Sequence, residues 1–489
     1  MDNWCAWTEA RVADRLRAAI AAIALASLAG CSFAPPYHPA ITPTPPAFKE
    51  AGPWQPAVAT GPIVPDAWWS VFADPTLDGL EQKIATDNPT LAGALARYDA
   101  ARAYLGQARV GLLPQLGADA SVTRNRQSDN RPLRGSNQPD VYGANTIEAG
   151  FGYELDLWGR VRNSVAAGKA EVQASGDDLA AIRLSLQAEL ASDYMALRGL
   201  DRQSELLVQT VDAFAKADHL IARRFQAGIV SGIETSRSGA QLAEARAQLA
   251  DVAAARALTE HAIASLVGTS ASAFTITPAT TPFAIPAVPL GVPATLVERR
   301  PDIAAAERRM AAANAGIGIA KAAFFPAIRL GGSAGFQDTG LPGLLSASNT
   351  IWSIGPSAVL NLFDGGRRRA ELAVARARWA SAAADYRATV LTAFQQVEDN
   401  LAQLHHLGDE ADAENEAVRQ AAATERLSLN RYDKGAVTYL EVFTAQTTAL
   451  RTRRAALDLE TRRLQASVRL IRALGGGWSA QHGGGAASS

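Results

Sequence analysis

The stretch from Thr146 to Arg160 reads TIEAGFGYELDLWGR. In it Ile147, Ala149, Phe151, Tyr153 and Leu155 alternate with Thr146, Glu148, Gly150, Gly152, Glu154 and Asp156. Successive side chains of a β-strand point to opposite faces, so this pattern predicts a strand with one apolar and one wet face. Three further stretches read the same way. Leu116, Ala118, Ala120 and Val122 alternate with Gly117, Asp119, Ser121 and Thr123. Ile328, Leu330, Gly332, Ala334 and Phe336 alternate with Arg329, Gly331, Ser333, Gly335 and Gln337. Trp352, Ile354, Ala358, Leu360 and Leu362 alternate with Ser353, Gly355, Ser357 and Asn361. Strands of about ten residues with this alternation suit a transmembrane β-barrel. A half-buried hairpin of a soluble protein fits each stretch taken alone. In a barrel the wet face would carry Glu148, Glu154, Asp156 and Arg329 toward the lumen. Four strands cannot close, and lipid does not tolerate open sheet edges. A spanning sheet would therefore need further copies of the chain. Two give eight strands around a filled interior; three give twelve and room for a lumen.

Moving outward, the sequence repeats itself. Pro89 and Pro301, Arg97 and Arg309, and Pro114 and Pro326 share one spacing. Gly159–Gly366, Arg160–Arg367, Arg224–Arg431, Gly228–Gly435, Glu234–Glu441 and Gly268–Gly475 share a second, five residues shorter. Two copies of one unit follow: residues 75–268 with a hairpin at 115–157, and residues 296–475 with a hairpin at 327–363. A connector, 269–295, joins them, and a Gly-rich tail, 476–489, ends the chain. Each copy predicts an opening helix, two strands and a very long helical run broken once, at Gly228 or Gly435. From Gly159 to Arg224 there is no Pro, and strong helix formers dominate. Leu179, Ile182, Leu186, Leu190, Tyr194 and Leu197 step by three or four, a coiled-coil-like seam. A solvated coiled coil shares that seam; the abundant Ala favours close lateral packing.

Composition alone gives little of this away. The 489 residues carry 47 Lys+Arg and 48 Asp+Glu, a net charge of -1. That balance excludes binding to nucleic acid by bulk electrostatics. Two cysteines build neither a disulfide framework nor a multi-Cys zinc site. Residues 1–30 read as a secretory signal: Arg11, Arg15 and Arg17, then an apolar run too short to span a bilayer. It ends Leu28-Ala29-Gly30-Cys31, which resembles the lipobox of bacterial lipoproteins and makes Cys31 the expected lipidation site. A plain signal peptide with an incidental Cys is the alternative. Residues 31–74 form a Pro-rich tether ending in the aromatic cluster Trp68-Trp69-Ser70-Val71-Phe72, expected to pack on a folded body.

Taken together these features resemble the outer-membrane efflux protein family typified by TolC, in its OprM/NodT-type lipoprotein branch. The resemblance rests on Cys31, Trp68-Trp69, Phe72, Asp74-Pro75, the run Gly152 to Arg160, and Arg299-Arg300-Pro301-Asp302-Ile303. Phe325-Pro326, Leu362-Phe363-Asp364-Gly365-Gly366-Arg367 and Gly475-Gly476-Gly477-Trp478 complete it. It implies an α+β membrane protein. Three subunits would give four strands each to one 12-stranded outer-membrane barrel, continued by a long periplasmic α-helical barrel. It implies a passive exit duct for drugs or other small molecules, meeting a periplasmic adaptor and an inner-membrane RND-type pump. No enzyme chemistry, cofactor or nucleic acid is expected; the one covalent addition would be lipid on Cys31. An outer-membrane duct for ABC-driven protein secretion, and a periplasmic coiled-coil lipoprotein without a pore, are the alternatives.

The helix breaks carry the candidate functional residues. Arg224 and Gly228, and Arg431 and Gly435, mark two hairpin tips, where a glycine cap is the ordinary structural reading. The resemblance adds adaptor contact at these tips and a periplasmic gate near Glu234 and Glu441. In a trimer Glu441 would form a ring of three carboxylates, with Tyr432 and Arg431 as partners. Thr444 departs from channels that carry a second acid there. Arg300-Pro301-Asp302 reads as a helix start, and Arg367-Arg368-Arg369 as a solvated one. His405 and His406, adjacent on a helix, are expected to point apart rather than share a metal.

Overall fold

The computed structural model describes residues 32–39, 45–50, 67–128, 130, 139–286 and 299–478. The signal segment 1–30, Cys31, most of the tether, residues 129 and 131–138 of the first hairpin, part of the connector and the tail beyond 478 lie outside the described residues. Two compact units are built, and each draws on both repeats. One holds residues 98–175 and 306–386 with the segment 32–39; the other holds the remaining described residues.

Helix α1 (Pro75–Asp87) and helix α2 (Pro89–Val110) open the first repeat. The opening helix expected to run up to Pro114 is α2, and α1 is an additional helix before it. Asn88 separates them, accepting from Leu91 N and donating to the Leu266 carbonyl. Strands β1 (Gln115–Arg126) and β2 (Val141–Leu155) follow, then α3 (Arg160–Gln226) and α4 (Gly232–Leu266). The second repeat gives α5 (Pro301–Ala322), β3 (Ala327–Asp338), β4 (Thr350–Val359), α6 (Arg367–Asp433) and α7 (Tyr439–Ala473). Helices α3 and α6 each have 67 residues, and α4 and α7 each have 35. At 1.5 Å per residue, α3 and α6 are each about 100 Å long. Strand β4 stops at Val359, so Leu360 and Leu362 are not strand residues.

In the first unit the strands form one antiparallel sheet in the order β1-β2-β3-β4. Register carries the alternation across all four strands. Leu116 pairs with Phe151, which pairs with Gly332, which pairs with Ile354. Ala118, Ala149, Ala334 and Trp352 form the adjacent row. The opposite face is wet: Asp119 lies opposite Glu148, and Glu154 opposite Arg329. Leu116, Val122, Trp352 and Ile354 are each at least 65% exposed, so nothing among the described residues covers the apolar face. Strands β1 and β4 remain unpaired edges.

Both strand-to-helix corners are fixed by an acid. Asp156 accepts from the backbone N–H groups of Val161 and Arg162 and pairs with the Arg162 side chain. Asp364 accepts from Gly366 N and Arg368 N and binds the Arg368 guanidinium. Arg368 is therefore a half-buried tie and not a freely solvated member of a basic run. Beside the first corner, Phe33 stacks on Phe325 (4.6 Å between centroids), and Phe325 on Trp158 (4.9 Å). Trp158 Nε1 donates to the Pro326 carbonyl, which closes the cluster. Ser32 Oγ donates to Asn163 Oδ1 at 2.9 Å, and Tyr37 binds Glu307.

In the second unit the Leu and Ala seam is the core. Leu190, Ala191, Tyr194 and Leu197 of α3 are fully buried, as are Val390, Ala393, Val397 and Leu401 of α6. Trp68, Trp69 and Phe72, in a short 3₁₀ turn, are buried as expected. Residues 276–279 are held by charges that the sequence reading did not single out. Arg198 donates to Asp201, to the Tyr194 hydroxyl and to the Thr277 carbonyl; Arg256 donates to Asp201 and to the Ile276 carbonyl. Glu260 accepts from Ile276 N, and Asp201 from Ala279 N. Both charges of the Arg198–Asp201 pair are buried, and each has several hydrogen-bond partners, as such a pair requires.

Candidate functional site

Two places carry candidate chemistry: the wet sheet face and the tips where α3 turns into α4 and α6 into α7. On the sheet, Glu148, Glu154 and Arg329 stand on the polar face, around a hollow of about 640 Å³ lined also by Gln115, Asp119 and Arg160. Glu154 is held by a bidentate bond from Arg160 (2.7 and 2.8 Å). Asp156 lies one residue beyond β2, and its carboxylate caps α3, so it is a corner residue rather than a wall residue.

Both tips close by the same backbone device. Ile229 N donates to the Arg224 carbonyl and Gly228 N to Phe225, while Ala436 N donates to the Arg431 carbonyl and Gly435 N to Tyr432. This is a Schellman ending, and it needs a left-handed residue at the turn. Gly228 (φ 72°) and Gly435 (φ 69°) supply it.

Side chains then differentiate the tips. Arg431 Nη1 lies 3.7 Å from Glu441 Oε2, an exposed pair. Such a pair holds on geometry more than on energy, since exposed ion pairs contribute about 0–1 kcal/mol. Within the chain Tyr432 makes no hydrogen bond to Glu441. Its ring lies between the Arg224 guanidinium (5.0 Å) and the edge of Tyr439 (5.7 Å), and its hydroxyl is buried with no partner among the described residues. One oxygen of Glu234 is also buried without a partner among the described residues. Ile221, Tyr439 and Val442 form the apolar floor. Burial pushes the Tyr439 hydroxyl up to about 12; it stays protonated and donates to Gln241 Oε1 at 3.1 Å. Gln241 in turn reaches Gln446. Sequence reasoning missed Tyr439, Gln241 and Gln446. Two glutamines at otherwise apolar seam positions were the available signal.

The fold and these sites now stand beside known proteins. The described chain matches the outer membrane efflux protein family over residues 80–269 and 292–476, one match per repeat. The chain belongs to the outer membrane efflux protein family. It is 34% identical to the outer membrane protein OprJ of Pseudomonas aeruginosa, over 92% of this chain and 94% of that protein. It is 32% identical to the solvent efflux pump outer membrane protein SrpC of Pseudomonas putida, over 93% and 97%. Among solved structures, the open state of the Neisseria gonorrhoeae MtrE outer membrane channel superimposes with a TM-score of 0.79 at 29% identity, over 91% and 98%. The present chain is likewise an outer-membrane efflux protein, the exit duct of an efflux pump. None of the described helices is long and apolar enough to cross a membrane.

Proposed function

We propose that three copies of this chain close a 12-stranded barrel, pairing β1 of each subunit with β4 of the next, and export small molecules passively. The observation that carries this reading is the sheet itself. One face is apolar and uncovered, the other is polar, and both edges are open. Lipid satisfies the first property, and only further strands satisfy the last. The helical columns would continue the duct into the periplasm. A periplasmic adaptor would meet the tips, and an RND-type inner-membrane pump would supply the energy. The Arg431–Glu441 pair would hold the periplasmic aperture narrow, with Tyr432 packed behind it. Cys31 would carry the lipid anchor. The pinning of Ser32 and the stacking of Phe33 on Phe325 support this, because they tie the residues just after Cys31 to the aromatic corner below the sheet. Aromatic girdles mark the interfaces of such barrels.

The test is a purified, detergent-solubilised sample in gel migration and planar bilayers. A heat-sensitive trimer that conducts is expected; a monomer without conductance overturns the reading. For the gate, the combination Glu441→Ala with Tyr432→Phe should raise single-channel conductance. Unchanged conductance removes the gate role and leaves the channel standing.

A further inference from the structure

A side-chain cluster on α6, away from the sheet and the tips, is not used by export. His405, His406 and Asp409 are exposed, and one ligand-type atom from each lies within 4.8 Å of the other two. Adjacent histidines start about 100° apart on a helix, which is why they were expected to diverge. The structure instead folds both rings to one side. Their centroids are 5.2 Å apart, and His405 Nε2 lies 4.0 Å from Asp409 Oδ2, one turn along.

We propose that His405, His406 and Asp409 form a surface site for a borderline divalent transition-metal ion, with zinc as the reference case. Zinc takes nitrogen and carboxylate oxygen at about 2.0–2.2 Å in tetrahedral geometry. Ligand atoms around it are then about 3.3 Å apart, so exposed side chains close the site by small rotamer shifts. Two neutral imidazoles and one carboxylate leave a coordination position open to water.

Two independent features support the assignment. First, beyond Asp409 the following turns carry Glu410, Asp412, Glu414 and Glu416; Glu410 is paired with Arg462 and Glu416 with Arg419, and the stretch stays net negative, which draws cations. Second, the repeat supplies its own negative control. At the second spacing, His405, His406 and Asp409 correspond to Arg198, Gly199 and Arg202 of α3. There Arg198 is buried against residues 276–279 and Arg202 is paired with Glu460. The same helix position is thus cationic and covered in one repeat, and ligand-rich and open in the other.

The test is zinc titration by isothermal calorimetry on the full-length protein, purified without an oligohistidine tag. One zinc per chain is expected. His405→Gln and Asp409→Asn should each weaken binding about tenfold or more, because even outer-shell partners of metal ligands are worth that much. His219→Gln and His261→Gln should leave it unchanged. Absence of zinc binding overturns the proposal, and so does binding that survives the triple change at 405, 406 and 409. Trimer migration of each variant shows that the fold is intact.

Discussion

Glu81 gives the sharpest quantitative test of this structure. It lies in α1, is 1% exposed, and neither carboxylate oxygen has a partner among the described residues. Burial is the main cause that pushes its carboxyl up from 4.5 to about 9; Asp78 adds to the rise and Arg183 opposes it. The folded protein therefore keeps this proton at pH 7, while the unfolded chain releases it. The pKa is raised on folding, so the contribution is fully present below pH 4.5 and is lost as pH climbs toward 9. Each unit between is worth about 1.4 kcal/mol. Holding the proton at pH 7 costs about 3 kcal/mol per chain relative to pH 4.5, and under about 1 kcal/mol at pH 5. Glu81→Gln removes the titration and keeps the volume. The variant should match the wild type near pH 5 and exceed it increasingly from pH 6 to pH 9. Thermal denaturation followed by circular dichroism in detergent, at one-unit pH steps, reads this directly. Parallel wild-type and variant curves across that range would refute the reasoning, because they would mean that Glu81 is ionised in the folded protein.

Three further outcomes follow from named contacts. Gly268→Ala and Gly475→Ala should each destabilise by about 3 kcal/mol or more in thermal melts: both glycines have positive φ (68° and 96°), and a Cβ would strike the Asp87 or Arg299 carbonyl oxygen. Asp201→Asn should cost about 3–5 kcal/mol, since it leaves buried Arg198 without its counter-charge, and proteolysis should then open the chain near residues 276–279. Trp352→Lys, on the apolar face of β4, should reduce the yield of assembled protein in the outer-membrane fraction, at a cost of about 2–4 kcal/mol if it lies near the bilayer midplane.

Much of the fold was legible because its signals are local or periodic. The matched glycines and prolines located two repeats, and the structure places helices of equal length at the second of those spacings. Strand alternation identified the apolar and wet faces because a one-residue slip would exchange them. What escaped depends on distant partners. Asp156 reads as the next member of the strand alternation, yet its carboxylate is claimed by two backbone N–H groups beyond Gly159. Arg198, Asp201, Arg256 and Glu260 look like ordinary helix-surface charges until residues 276–279 fold back over them. Tyr432 was expected as a partner of the Glu441 ring in a trimer; within one chain its ring packs between Arg224 and Tyr439, contacts that depend on residues distant in the sequence. At His405 and His406 the helical angle predicted divergence, and side-chain rotation overcame it.

The matched helix lengths also constrain how such a sequence can change over generations. One residue inserted in α3 would shift everything beyond it by 1.5 Å and turn it by about 100°, moving buried Leu and Ala into water. Its counterpart in α6 would stay in place. A single insertion or deletion in these columns thus disrupts the packed seam, and the two repeats keep columns of equal length. The five-residue difference between the repeats falls between Pro114 and Gly159, in the hairpin region, where added length displaces no seam. Drift in length belongs to the loops, and drift in the columns must proceed by substitution alone.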